Sequence, residues 1–167
     1  MLSKSAEYAL RALHRLAFAG GEGPVTTARL AARVGAPENY LSKLLHRLQQ
    51  EGLVDSRRGR GGGFALARPP GEVTLAQVVA PFDDVMERRC LLGRPECRDD
   101  DPCPAHDAWI EAAGRLRDFF RQTTLEELGP PGEGGPEPEL VTVAGGSEPR
   151  PSDEPRPSDA GRRPHER

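Results

Sequence analysis

Between Thr26 and Leu66 the chain carries a pattern that few folds accommodate. A short amphipathic segment, a glycine and a longer amphipathic segment are followed by two brief apolar runs separated by arginines and glycines. Thr26 or Thr27 is placed to cap a helix bearing Leu30, Ala31 and Val34, and Gly35 supplies the left-handed residue that ends it. Pro37 suits the first position of the next helix and Glu38 its positive end, while Leu41, Leu44, Leu45 and Leu48 make one apolar stripe before Gly52. Short helix, glycine turn and longer helix form the helix-turn-helix pattern, whose second member lies in the DNA major groove. Leu53-Val54 and Phe64-Ala65-Leu66 predict two paired strands with SRRGRGGG between them. Arg57, Arg58 and Arg60 among glycines make a flexible basic tip, suited to following phosphates or entering a narrow minor groove. Such a hairpin is a wing.

Opposite the leucine stripe stand Asn39, Tyr40, Ser42, Lys43 and His46, a mix of amide, hydroxyl and cation able to reach base edges or phosphates. The plainer reading is a solvated polar face of the kind most amphipathic helices carry. A nucleotide-cradling loop is excluded, because the glycines fit neither phosphate-binding fingerprint.

Before this unit, Ser3 or Ser5 can cap a helix with Ala6, Ala9, Leu10, Leu13, Leu16 and Ala17 at helical period, ending at Gly20-Gly21. After the break at Pro69-Pro70, Thr74 and Gln77 form a capping box for a helix bearing Leu75, Val78, Val79 and Phe82. From Pro104 a helix of about five turns is predicted, with Ala105, Trp109, Ala112, Ala113, Leu116, Phe119, Phe120 and Thr123 on a broad apolar face. A small domain cannot easily cover such a face, so pairing with a second copy is expected. Thr124 and Glu127 make another capping box for a final turn near Gly129.

All three cysteines, and a histidine, lie between Cys90 and His106 in the run CLLGRPECRDDDPCPAH. Thiolates and imidazole are soft donors that suit iron-sulfur clusters or zinc. Gly93, Pro95, Pro102 and Pro104 favour a wrapping loop, and the run Asp99, Asp100, Asp101 keeps it polar. The bland alternative is three unrelated thiols in a flexible loop. An odd number of cysteines argues against a disulfide framework. The N-terminus is amphipathic and charged throughout, so neither a signal peptide nor a membrane span is expected there, and a cytoplasmic protein is.

Charge is divided unevenly. Residues 1–70 carry a balance of +6 and residues 71–167 one of −9, which places a polyanion contact at one end only. From Gly129 to Arg167, 16 of 39 residues are Pro or Gly and the unit EPRPSD occurs twice, so a disordered tail is expected there. The fold expected is mainly α: a winged helix-turn-helix over 1–70, a metal-binding loop and dimerisation helix over 71–128, and the tail over 129–167.

On SAEYAL at 5–10, YLSKLLHRLQQEGLV at 40–54, RGRGGGFALARPP at 58–70, the three-cysteine loop and TLEEL at 124–128, the chain from Met1 to Leu128 resembles the iron-sulfur-sensing winged-helix regulators typified by IscR and NsrR. The resemblance implies a homodimer that crosses its long C-terminal helices on a pseudo-palindromic operator and usually represses. It also implies one cluster per protomer, a 2Fe-2S cluster in preference to a 4Fe-4S one, supplied by the iron-sulfur assembly machinery and responsive to cluster supply, oxygen or nitric oxide. By position, Cys90, Cys97 and Cys103 match the cluster thiolates and His106 the fourth ligand, with Glu7 of a partner subunit as the alternative used by other branches. The first cysteine spacing is one residue longer than the commonest arrangement. Tyr40, Ser42 and Lys43 match the recognition helix, and Arg60 the wing residue that enters the minor groove. Two other readings stay open beside it: a constitutive DNA-binding regulator with a structural Cys3His zinc site, and an enzyme using Cys90 or Cys103 as nucleophile with His106 as base. The enzyme is disfavoured, because no third orienting group is evident.

Overall fold

Ser3 opens the first helix, α1 (Lys4–Ala17), by accepting a hydrogen bond from the Ala6 amide. In the computed structural model, residues 2–20, 23–59, 61–83 and 89–131 are described. Helix α1 buries Ala6, Ala9, Ala12, Leu13 and Leu16. It stops at Ala17, earlier than the glycines predict, because Phe18 leaves helical geometry, with its ring edge-on to His14, and Ala19 N–H closes back on Leu16 O.

Thr26 caps α2 (Thr27–Val34), and Gly35, at φ 73°, ends it. Helix α3 (Glu38–Gln50) follows at once. Pro37 sits at its cap rather than at its first helical position, a difference of one residue. Leu41, Leu44, Leu45 and Leu48 are all fully buried against α1 and α2, as the stripe requires.

Strand β1 (Val54–Arg57) pairs antiparallel with β2 (Gly63–Leu66) in the register Val54↔Leu66 to Arg57↔Gly63. The hairpin has an addition that the sequence does not announce. Val25, just before α2, exchanges two 2.8 Å backbone hydrogen bonds with Phe64, which ties the wing to the helix-turn-helix. Gly63 permits this approach: its φ is 153°, and an added Cβ would stand 2.3 Å from the Val25 carbonyl oxygen. Gly63→Ala is therefore expected to lower unfolding free energy by roughly 3 kcal/mol in denaturant titrations. Gly61→Ala, at φ 80° with open space around it, should cost only about 1 kcal/mol.

A single turn of 3-10 helix at Pro70–Glu72 leads to α4 (Leu75–Val79), whose capping box forms as predicted: Thr74 Oγ1 accepts from Gln77 N, and Gln77 Oε1 accepts from Thr74 N. Phe82 lies beyond the end of α4, half-buried against the core. The long helix α5 (His106–Gln122) starts two residues after Pro104. Its far end is stapled back to the rest of the chain. Leu75 N donates to Thr123 O and Leu125 N to Val73 O, both at 2.9 Å, and His14 Nε2 lies 2.8 Å from Gly129 O. The Thr124–Glu127 box closes this turn. One apolar core consequently runs from Ala6 in α1 through Leu45 in α3 to Val78, Phe120 and Leu125. The tail is expected over 129–167; of these only Gly129, Pro130 and Pro131 are described, and 132–167 lie outside the described residues.

Candidate metal centre and nucleic-acid interface

The exposed side of α3 continues onto the wing. Asn39 and Lys43 are exposed, Ser42 is half-buried, and Arg57 and Arg58 are exposed at the hairpin end. Arg60 lies outside the described residues. His46 is exposed but packs its ring edge-on against Phe64 of β2, centroids 5.8 Å apart. Tyr40 points its hydroxyl towards α1, 2.6 Å from Ser5 Oγ, with its ring edge-on to Tyr8. Sequence reasoning misses one positioning residue here. Gln49 Nε2 donates to Ser56 Oγ at 2.9 Å, bracing the end of α3 against β1, and neither residue type signals this across a turn.

Residues 89–105 form turns without helix or strand, as the prolines predict. The loop is pinned at both ends through its backbone carbonyls. Trp109 Nε1 of α5 donates to Arg89 O at 2.7 Å, and His106 N donates to Cys103 O at 2.9 Å. Within it, Arg94 reaches the carbonyl and carboxylate of Asp101, and Arg98 pairs with Asp100.

The four predicted donors stand in two pairs. Cys90 Sγ is 3.8 Å from Cys103 Sγ, and Cys97 Sγ is 3.6 Å from His106 Nδ1. Among the described residues, no three His, Cys, Asp or Glu side chains gather around one ion position. Two thiolates held at about 2.3 Å from one tetrahedral ion stand about 3.8 Å apart, and a thiolate and an imidazole nitrogen on such an ion about 3.6 Å apart. Each pair is at sulfur hydrogen-bond distance, which is also compatible with two donors on one tetrahedral metal, and among the described residues the four do not form a closed one-ion site.

Cys103 and His106 are buried; Cys90 and Cys97 are half-buried. Backbone hydrogen bonds from Arg94 and then Leu92 lower the Cys90 thiol from its ordinary value, which favours the thiolate that metals bind. The alternative ligand Glu7 lies on α1, half-buried, with its carboxylate 2.7 Å from Lys4 Nζ.

Helix α5 divides its predicted apolar face. Phe120 enters the core, whereas Leu116 and Phe119 remain about half exposed, at 49% and 51%. Among the described residues no helix is long and apolar enough to cross a membrane.

Residues 2–130 match the family model Rrf2, described as iron-dependent transcriptional regulator. The HTH-type transcriptional regulator IscR of Pectobacterium atrosepticum is 35% identical over 127 residues, covering 76% of this chain and 77% of that protein. IscR of Xenorhabdus nematophila is similar at the same identity and coverage. Among solved structures, CymR, the global cysteine regulator of B. subtilis, superposes with a TM-score of 0.61 at 28% identity, covering 77% of this chain and 95% of that one. T. potens IscR superposes with a TM-score of 0.60 at 26% identity, covering 77% and 85%.

Proposed function

The chain belongs to the Rrf2 family of iron-dependent transcriptional regulators, and from that membership we propose a cytoplasmic, homodimeric repressor whose affinity for its operator is set by an iron-sulfur cluster. DNA-binding regulation comes with the family and its relatives, and an enzymatic role does not. The cluster is the finer step. The observation that carries it is the division of the donors into a Cys90–Cys103 pair and a Cys97–His106 pair. A 2Fe-2S cluster takes two protein ligands on each iron, whereas a closed zinc site needs all four donors on one ion. The buried His106, already beside Cys97, is the better fourth ligand than Glu7, which is engaged by Lys4.

When bound, such a cluster supplies a centre that oxygen and nitric oxide attack and that can exchange an electron. The protein's own part is mechanical. Arg89 is held by Trp109, and Cys103 and His106 close the first turn of α5, so drawing the thiolates together orders the loop at the near end of that helix. The far end is stapled to α1 and α4 through Thr123, Leu125 and Gly129. Loop order is thereby linked to how α5 sits on the DNA-binding half, and the two sites bias one element.

On DNA, Asn39, Ser42 and Lys43 face the major groove, with Tyr40 and His46 framing them. Arg57 and Arg58 follow phosphates, and Arg60 enters the minor groove. Lys43→Ala should weaken binding to operator and random DNA alike and reduce the slope of log affinity against log salt by about 1. Arg60→Ala should cost more on the operator than on random DNA. Equal losses for Arg60→Ala on both would reduce the wing to a general electrostatic contact. The cluster itself is tested by anaerobic iron and sulfide analysis, expected at about two of each per protomer. A colourless protein holding zinc instead would replace this reading with the structural-site one.

A further inference from the structure

The loop's three consecutive aspartates have separate partners. Asp101 is bonded by Arg94 and Asp100 by Arg98, while Asp99 Oδ1 lies 2.9 Å from His106 Nε2. The imidazole is nearly sealed, its side chain 8% exposed, whereas the Asp99 carboxylate is 73% exposed and closes the ring's outer edge. An ionised carboxylate only accepts hydrogen bonds, so Nε2 must carry the proton and donate it. A ring carrying its one proton there has its lone pair on Nδ1, the nitrogen that faces Cys97 Sγ at 3.6 Å. A ring bonded in this way has its tautomer and its rotation set together.

We propose that Asp99 is a positioning residue that fixes His106 as the Nε2–H tautomer and aims Nδ1 at the metal position beside Cys97. The proposal rests on the cluster reading for the group that Nδ1 would meet, but the hydrogen bond is a property of the chain itself. The two neighbouring aspartates are neutralised by arginines, and their bonds hold the turn that presents Asp99.

The test uses the full-length protein with 15N-labelled histidine, metal-free and anaerobically loaded, as wild type, Asp99→Ala and Asp99→Asn. Asn keeps an acceptor oxygen without the charge. In the metal-free wild type, the His106 Nε2–H should give a resolved signal protected from solvent exchange. It should persist in Asp99→Asn and vanish in Asp99→Ala. In the loaded protein, iron release to a chelator should be about tenfold or more faster in Asp99→Ala and near wild type in Asp99→Asn. The reduction potential should rise in both, since both lose a negative charge beside the ring. His106 nitrogens indistinguishable between wild type and Asp99→Ala would overturn the proposal, as would wild-type iron release from Asp99→Ala. If His106 responds to Asp99 but no variant takes up iron, the positioning role stands and the cluster reading fails.

Discussion

Cys97→Ala and Cys103→Ala proteins are expected to leave anaerobic preparation with about a tenth or less of the wild-type iron and with the cluster absorption gone. Each substitution removes one member of a pair, and the loop has no spare thiol: Cys90, Cys97 and Cys103 are all the cysteines the chain has. The two should differ in what else they disturb. Cys103 is buried at the foot of α5, so trimming its packed side chain should also loosen the first turn, although the backbone bond from His106 N to the carbonyl at 103 remains. Cys97 is half-buried in the loop, and its alanine variant should keep the wild-type unfolding midpoint in the metal-free state. Full iron retention in Cys97→Ala would show that the loop is not the site.

The second large effect concerns assembly. Replacing both Leu116 and Phe119 by Asp puts two charges on the uncovered face of α5. A buried interface there would lose its apolar contacts and gain unpaired charges. Sedimentation should report a monomer, with helical content unchanged because neither side chain is buried within the protomer. Operator affinity should fall by about 10²- to 10⁴-fold, because the second half-site is no longer bound intramolecularly. Phe120→Ala is the contrasting change: that ring is in the core, so the cost, about 3 to 5 kcal/mol, should appear as unfolding. A dimer surviving both aspartates would move the interface elsewhere.

Most of the helical frame was legible because its signals are local. Caps at Ser3 or Ser5, at Thr26 or Thr27 and at Thr74, the stop at Gly35 and the leucine period of α3 each depend on residues a few positions apart, and the structure takes Ser3, Thr26 and Thr74 and keeps the rest. The longer-range ties left no such mark. Val25 with Phe64 and Leu125 with Val73 are backbone bonds between distant segments, and any residue with an amide and a carbonyl can make them. Only Gly63, whose Cβ would meet Val25, leaves a trace of the first.

The cysteine loop divides in the same way. Donor types and their confinement to one loop were readable; which thiol stands beside which donor was not, since spacing fixes reach and leaves pairing open. In sequence Asp99 belongs to a polar run of three adjacent aspartates that look equivalent. Only the folded turn separates the one that meets His106 from the two that meet arginines. Tyr40 shows the converse: placed on the polar face by helical period, it points its hydroxyl to Ser5 of α1.

On the proposed reading, cluster occupancy changes DNA affinity. This is tested most directly by fluorescence anisotropy on a duplex selected from random sequence, under strict anaerobiosis and at one fixed salt concentration. Loaded and cluster-free protein are compared. The two forms are expected to differ by about 5- to 150-fold, the range of couplings of about 1 to 3 kcal/mol. Identical affinities, with both forms dimeric by sedimentation, would contradict that reading and leave the loop a structural metal site.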